Sequence, residues 1–313
     1  MAAPRIGYLL PTRDWTILGG DVAALAEQAR AAEDLGFDSV WAGDSPVTRP
    51  RADPLLVLAA AAARTGRVTL GTAVLLPALR HPVLLAHQLA TLDAMSGGRV
   101  IAGMGSGFAN PATRAQFEAL NVDFGTRVSR MEEAIAAMRL LWSGREVSFA
   151  GRHFAFSDVS IAPRPVREGG PPVWLAGGGA RALRRVARLA DGWLPYPPTH
   201  RQYADERALL AGSPVTPALY ATLCLDDDPE RARARLRVSI ERYYNAPLEF
   251  VEGIQAMFAG TPDGAAAWLR GYADAGAEHV VVRIAVDDHR SAMEEFAGLV
   301  LPALRPFRQE VRV

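Results

Sequence analysis

Two glycine clusters are where this chain could do chemistry, and each suggests a different use of bare backbone. The segment LAGGGARALRR (175–185) sets Gly177, Gly178 and Gly179 between an apolar run and a helical pattern. Glycines that leave a strand and enter a helix at once aim free N–H groups and the positive end of the helix dipole at one spot. That arrangement suits a phosphate, and Arg181 could add a charge-assisted contact. The segment GGRVIAGMGSGFANP (97–111) holds Gly103, Gly105 and Gly107. It fails the dinucleotide-binding fingerprint, which needs G-x-G-x-x-G running from a strand into a helix. Asn110-Pro111 is expected to break a helix there rather than open one. Gly105 and Gly107 flank Ser106, and small residues at such a place let a flat ring approach the backbone closely.

Acid–base groups are scarce by comparison. All 34 basic residues are Arg, which excludes a Schiff-base or Walker-type lysine. No G-x-S-x-G elbow and no His/Cys cluster with metal-ligand spacing appears. Of the six histidines, His87 reads as a buried filler in an apolar helix, His81 as a helix-entry cap and His289 as a loop residue. His153 falls in a hairpin and His279 at the far end of a strand. That leaves His200 as the candidate for a site. Cys224 reads as packing, and the run Asp226-Asp227-Asp228 as a solvated helix entry before Pro229 rather than a calcium site. Such a set suits a cofactor that brings its own chemistry while the protein supplies position.

Eight short apolar runs must carry these loops: 5–11, 38–44, 68–77, 99–107, 171–179, 192–197, 218–226 and 279–286. Helical patterns follow them at 21–36, 53–65, 81–97, 127–144, 180–192, 229–245, 262–275 and 291–304. The alternation predicts an α/β fold of one closed (β/α)8 TIM barrel spanning 1–313. An insertion at about 146–170 contains a β-hairpin around Gly151, after the fourth β/α unit. In such a barrel function gathers at the carboxyl ends of the strands. Those ends carry Arg13, Asp14 and Trp15, then Asp44 and Ser45, then the two glycine clusters, then Tyr196 and His200.

The composition bounds the partners. Half of the 313 residues are apolar and the formal net charge is zero, with no basic cluster of the kind nucleic acid needs. No apolar run reaches a membrane span, no signal peptide is evident, and a single cysteine fits a reducing, cytoplasmic compartment.

The segments RHPVLLAHQLATLDAMSGGRVIAGMGSGF and PPVWLAGGGARALRRVARLADGWLPY resemble those of the bacterial luciferase-like superfamily. LGFDSVWAGDS and RVTLGTAVLLPALRHP are similar to its second and third strands, and the chain looks most like the branch using the deazaflavin F420. The resemblance implies a (β/α)8 barrel binding F420 or FMN. It puts a ring-binding bulge at Thr72-Ala73-Val74 with a cis Ala73–Val74 peptide, and Gly105-Ser106-Gly107 at the ring's border. It also puts Ala176 to Gly179 with Arg181 on the phosphate, and Asp44 and Ser45 near the ring's polar edge. Sugar-phosphate-oxidising members carry His after the strand-two Asp and Glu after the strand-four glycines. Here those places hold Ser45 and Phe108, so that acid–base pair is missing. The reading that fits is hydride transfer from reduced F420 to a small organic substrate, with Tyr196, His200, Trp15 and Arg13 as candidates for substrate contact or protonation. The alternatives are a reduced-FMN and O2 monooxygenase and a non-catalytic flavin-binding protein. A homodimer is expected, packed through small-residue helices such as LLVLAAAAA (55–63).

Overall fold

Each apolar run needs a neighbour on both edges and cover on its outer face, and closing a parallel sheet on itself supplies both. The computed structural model describes residues 3–305 and shows that closure. The barrel strands are β1 (Arg5–Leu9), β2 (Ser39–Ala42), β3 (Thr69–Thr72), β4 (Val100–Met104), β5 (Val173–Leu175), β6 (Gly192–Trp193), β7 (Thr216–Leu225) and β8 (His279–Ile284). They pair in parallel in that order, and β8 returns to β1 with His279 beside Arg5 and Val282 beside Tyr8. A ninth parallel strand, Ala256–Gly260, joins the upper half of β7 on the edge that β6 uses lower down. It has no counterpart in the sequence reading.

Local signals explain the helices. Asp53 accepts N–H bonds from Leu55 and Leu56 and Pro54 takes the first turn of the helix Pro54–Arg64. Asp228 and Pro229 open the helix Pro229–Tyr244 in the same way, while Asp226 pairs with Arg231 and Arg235. The aspartate run is therefore a capped helix entry. The expectation for Asn110-Pro111 is overturned: Asn110 Oδ1 accepts the Thr113 N–H at 2.8 Å and Pro111 begins the helix Pro111–Ala119. Proline stops a helix from within but suits its first turn. Strands Val147–Ala150 and Ala155–Val159 form an antiparallel hairpin outside the barrel. Among the described residues, no helix is long and apolar enough to cross a membrane.

The barrel interior is filled rather than hollow. Trp41 of β2 and Trp174 of β5 face each other with ring centroids 5.4 Å apart, and His279 stands edge-on to both. Both Trp41 Nε1–H and the His279 ring bond to Ser39 Oγ at 2.7 Å. These large rings dictate small neighbours. A Cβ on Gly71 would lie 2.1 Å from the Trp41 ring, and one on Gly192 would lie 2.4 Å from that of Trp174.

Candidate active site

A cavity of about 450 Å³ opens at the carboxyl ends of the strands. Its floor comes from β3 and β4. The Ala73–Val74 peptide is cis. Leu75 N–H bonds to Gly103 O and Gly105 N–H to Leu75 O, each at 2.8 Å, which draws the two strand ends together. That approach requires glycine: a Cβ on Gly103 would sit 1.9 Å from Thr72 O, and one on Gly105 would sit 2.7 Å from Val74 Cγ2. Gly107, with φ of +84°, turns the rim. Thr72 is buried beneath this floor and bonds to Gly103 O at 2.7 Å, so it braces the surface without lining it.

The walls are rich in arginine and tyrosine. Among the described residues Asp44 is the only acid on the lining, and it is engaged: Arg80 grips both its oxygens and Leu76 N–H adds a third bond at 3.0 Å. Ser45 Oγ–H donates to Gln116 Oε1 at 2.7 Å. Arg49 and Arg51, from the loop after β2, share the lining with Tyr220, Tyr243, Tyr244 and Gln255, and Arg51 is in contact with Tyr243. Burial pushes the Tyr220 and Tyr244 hydroxyls up, so both stay protonated in neutral solution.

At the far wall Ala176 and Gly177 reach the cavity. Gly178 and Gly179 are exposed and begin the helix Gly179–Leu189. The Gly179 N–H is directed at a carboxylate, Glu206 Oε1, at 3.0 Å. A carboxylate of the chain itself thus takes the N–H at which a phosphate was expected. Arg181 is exposed and faces away, in a surface patch with Arg184, Arg185, Arg188 and Glu132. It is therefore not among the residues that line the cavity.

The model of the luciferase-like monooxygenase family matches residues 4–279. The chain belongs to this family. It is an enzyme of the oxidoreductase class by that membership. A protein of Intrasporangium calvum named F420-dependent glucose-6-phosphate dehydrogenase is 31% identical, with 90% of this chain and 94% of the relative covered. Two solved structures share the fold. One is a monooxygenase from Streptomyces bottropensis (TM-score 0.80, 24% identity, 95% of this chain and 99% of that one). The other is an F420-dependent secondary alcohol dehydrogenase in complex with an F420-acetone adduct (TM-score 0.80, 22% identity, 98% and 100%).

In this luciferase-like barrel Asp44, Ser45, Ala73, Val74, Gly105, Ser106 and Gly107, expected beside the ring, and Ala176 and Gly177, expected on the phosphate, line one cavity. Of the four residues expected to touch substrate, Tyr196 alone lines it, its ring stacked on Phe108 at 5.9 Å. Burial raises the Tyr196 hydroxyl well above its ordinary value. His200 packs instead between two helices, bonded to Trp268 O at 2.9 Å and edge-on to Tyr272. Trp15 packs against Gly20 and the core. Arg13 is buried behind the wall, 5.1 Å from the centre of the Tyr243 ring. Two further histidines differ from expectation: His87 is exposed on its helix, and His289 is buried, 3.8 Å from Asp14. Arg49, Arg51, Tyr220 and Tyr243 were missed. They lie on the loop after β2, on β7 and at a helix end, and no periodicity reports their convergence.

Proposed function

We propose that this protein is an F420-dependent oxidoreductase that reduces a double bond of a small organic substrate. The observation that carries the reading is the pairing of a flat glycine-built floor with a corner whose Gly179 N–H bonds a carboxylate, on a lining whose carboxylate, Asp44, is already held by Arg80. The floor of Val74 and Gly105–Gly107 fits the face of a tricyclic ring, and Ala176–Gly179 fits its phosphate. Curated relatives that cover nine-tenths of this chain carry F420 in their names, which favours the deazaflavin over FMN. Bound and reduced, that group supplies a hydride.

The chain's own residues hold the ring and substrate in contact, keep water out with Phe108 and the tyrosines, and deliver the balancing proton. Tyr196 is the donor: of the four residues expected to touch substrate it alone lines the cavity, and its phenol carries a proton in neutral solution. Sugar-phosphate oxidation does not follow from the relatives' names. It would need a free base where Ser45 bonds to Gln116 and where Phe108 stacks on Tyr196.

The test is separate titration with F420 and FMN, followed by single-turnover reduction of a panel of activated alkenes, imines and ketones. Micromolar binding of F420 with hydride delivery to one panel member is expected. Binding of FMN alone, with O2 consumption, would replace this reading by monooxygenation, and binding of neither would end it.

A further inference from the structure

The arc of the barrel mouth away from the glycine corner carries positive charge with nothing to balance it. Arg51 lies against Gly43 at the end of β2, and its Nη2–H donates to the Tyr243 hydroxyl at 3.2 Å. Its Nε is buried without a partner. Arg49 lines the same wall, and among the described residues neither arginine forms an ion pair. Behind them Arg13 is buried with Nε and Nη1 unpartnered, and Arg283 stands 4.0 Å from the centre of the Tyr243 ring. The nearby carboxylates are taken: Asp14 by Arg283 at 3.0 Å and Asp44 by Arg80. Crowded, desolvated cations of one sign are costly unless an anion joins them. Burial holds Arg13 down to about 10 and lowers Arg49, with the neighbouring guanidinium of Arg51 adding to both.

We infer that Arg49 and Arg51 bind the carboxylate of a planar organic acid, whose body packs on Tyr220, Tyr243 and Tyr244, and that this acid is the substrate. The assignment deepens the proposed function and rests on it for the word substrate. Position separates this anion from the cofactor's phosphate. The phosphate corner closes β5, four strands from β1 around the ring in either direction, whereas the arginines gather over β8, β1 and β2. A guanidinium pairs with a carboxylate through two parallel bonds in one plane, and flanking aromatic rings favour a flat partner. One free acidic residue in this wall would have satisfied the cations internally, and among the described residues none pairs with Arg49 or Arg51.

The test measures binding to the full chain by tyrosine and tryptophan fluorescence, with and without F420. The probes are benzoate, trans-cinnamate and 2-naphthoate, each beside its uncharged amide. At least one acid is expected to bind tenfold or more tighter than its amide. R49Q and R51M should each remove most of that preference, leaving amide and F420 affinities within twofold. Arg51 touches Tyr243 and its loss could loosen the wall, whereas Arg49 makes no such bond, so R49Q carries the result if R51M unfolds. Equal binding of every acid and amide, or no binding of any acid, overturns the inference. So does a loss of F420 affinity in R49Q that matches the loss for the acid, which would assign the arginines to the cofactor. An acid preference that survives in a protein binding neither F420 nor FMN would sink the proposed function and leave this anion site standing.

Discussion

Glu206 occupies the place a phosphate would take, and removing its charge is the most informative single change. Its Oε1 accepts the Gly179 N–H at 3.0 Å, and a Cβ on Gly178 would lie 2.8 Å from the same oxygen, so the carboxylate fills the corner. A cofactor phosphate must displace it or approach it. Two unit charges about 4 Å apart repel by ~1 kcal/mol in water, more where solvent is thinned. Glu206→Gln removes the charge and keeps an acceptor for the Gly179 N–H, so it should tighten binding of the phosphate-bearing cofactor by about 1 kcal/mol, roughly fivefold in Kd. The gain should shrink as salt is raised. Titrating F420 against its riboside lacking the phosphate, by fluorescence quenching, separates this from any general loosening. The riboside should bind wild type and variant alike. Equal gains for both ligands, or weaker binding of F420 to the variant, would refute a phosphate at Ala176–Gly179.

Tyr196→Phe should leave cofactor affinity within twofold and lower the single-turnover reduction rate by 10²- to 10⁴-fold, as loss of a positioned proton donor does; an unchanged rate would remove Tyr196 from the chemistry. Burial holds His279 down to about 3 and His289 to about 4, below the ordinary value near 6.5. Below pH ~6.5 the unfolded chain takes up protons that the folded chain does not. Stability is therefore full above that pH and falls with acid by up to about 1.4 kcal/mol per pH unit for each histidine, down to its folded value. Urea midpoints from pH 7 to 4.5 measure this, and His279→Gln should cut the slope by one proton. Gly71→Ala sets a Cβ 2.1 Å from the Trp41 ring and should cost ~2 kcal/mol or more in urea unfolding, with little change if the ring could move aside. Leu56 and Leu84 are 74% and 64% exposed on the helices Pro54–Arg64 and Pro82–Ser96. We expect a dimer through this face, with L56E and L84E each shifting it to monomer in light scattering, and wild type already running as a monomer would dismiss it.

The barrel was legible because each strand is a dense apolar run and each major helix has its own punctuation, such as Asp53-Pro54, Gly97 and Asp228-Pro229. The elements that escaped lack that contrast. The helix Thr12–Leu18 follows β1 directly and buries the charged Arg13 and Asp14, and the helix His200–Ala208 buries only Tyr203. The glycine floor could be read because close backbone approach leaves a residue-type trace. Side-chain direction leaves none. His200 and Arg181 sit at the correct end of the barrel and point away from the cavity. Arg51 belongs to a polar loop that reads as solvated, yet it meets Tyr243, 192 residues further on. Convergence of that kind is a property of the closed ring.

The tryptophan pair inside the barrel has a kinetic consequence. With Trp41 and Trp174 packed directly beneath Ala73, Val74 and Tyr220, there is no passage through the molecule. Every reactant arrives and every product departs by one doorway. A ligand lying on the floor is then trapped under whatever follows it, so turnover should run in strict order, last in and first out. An excess of the upper ligand should slow the escape of the lower one.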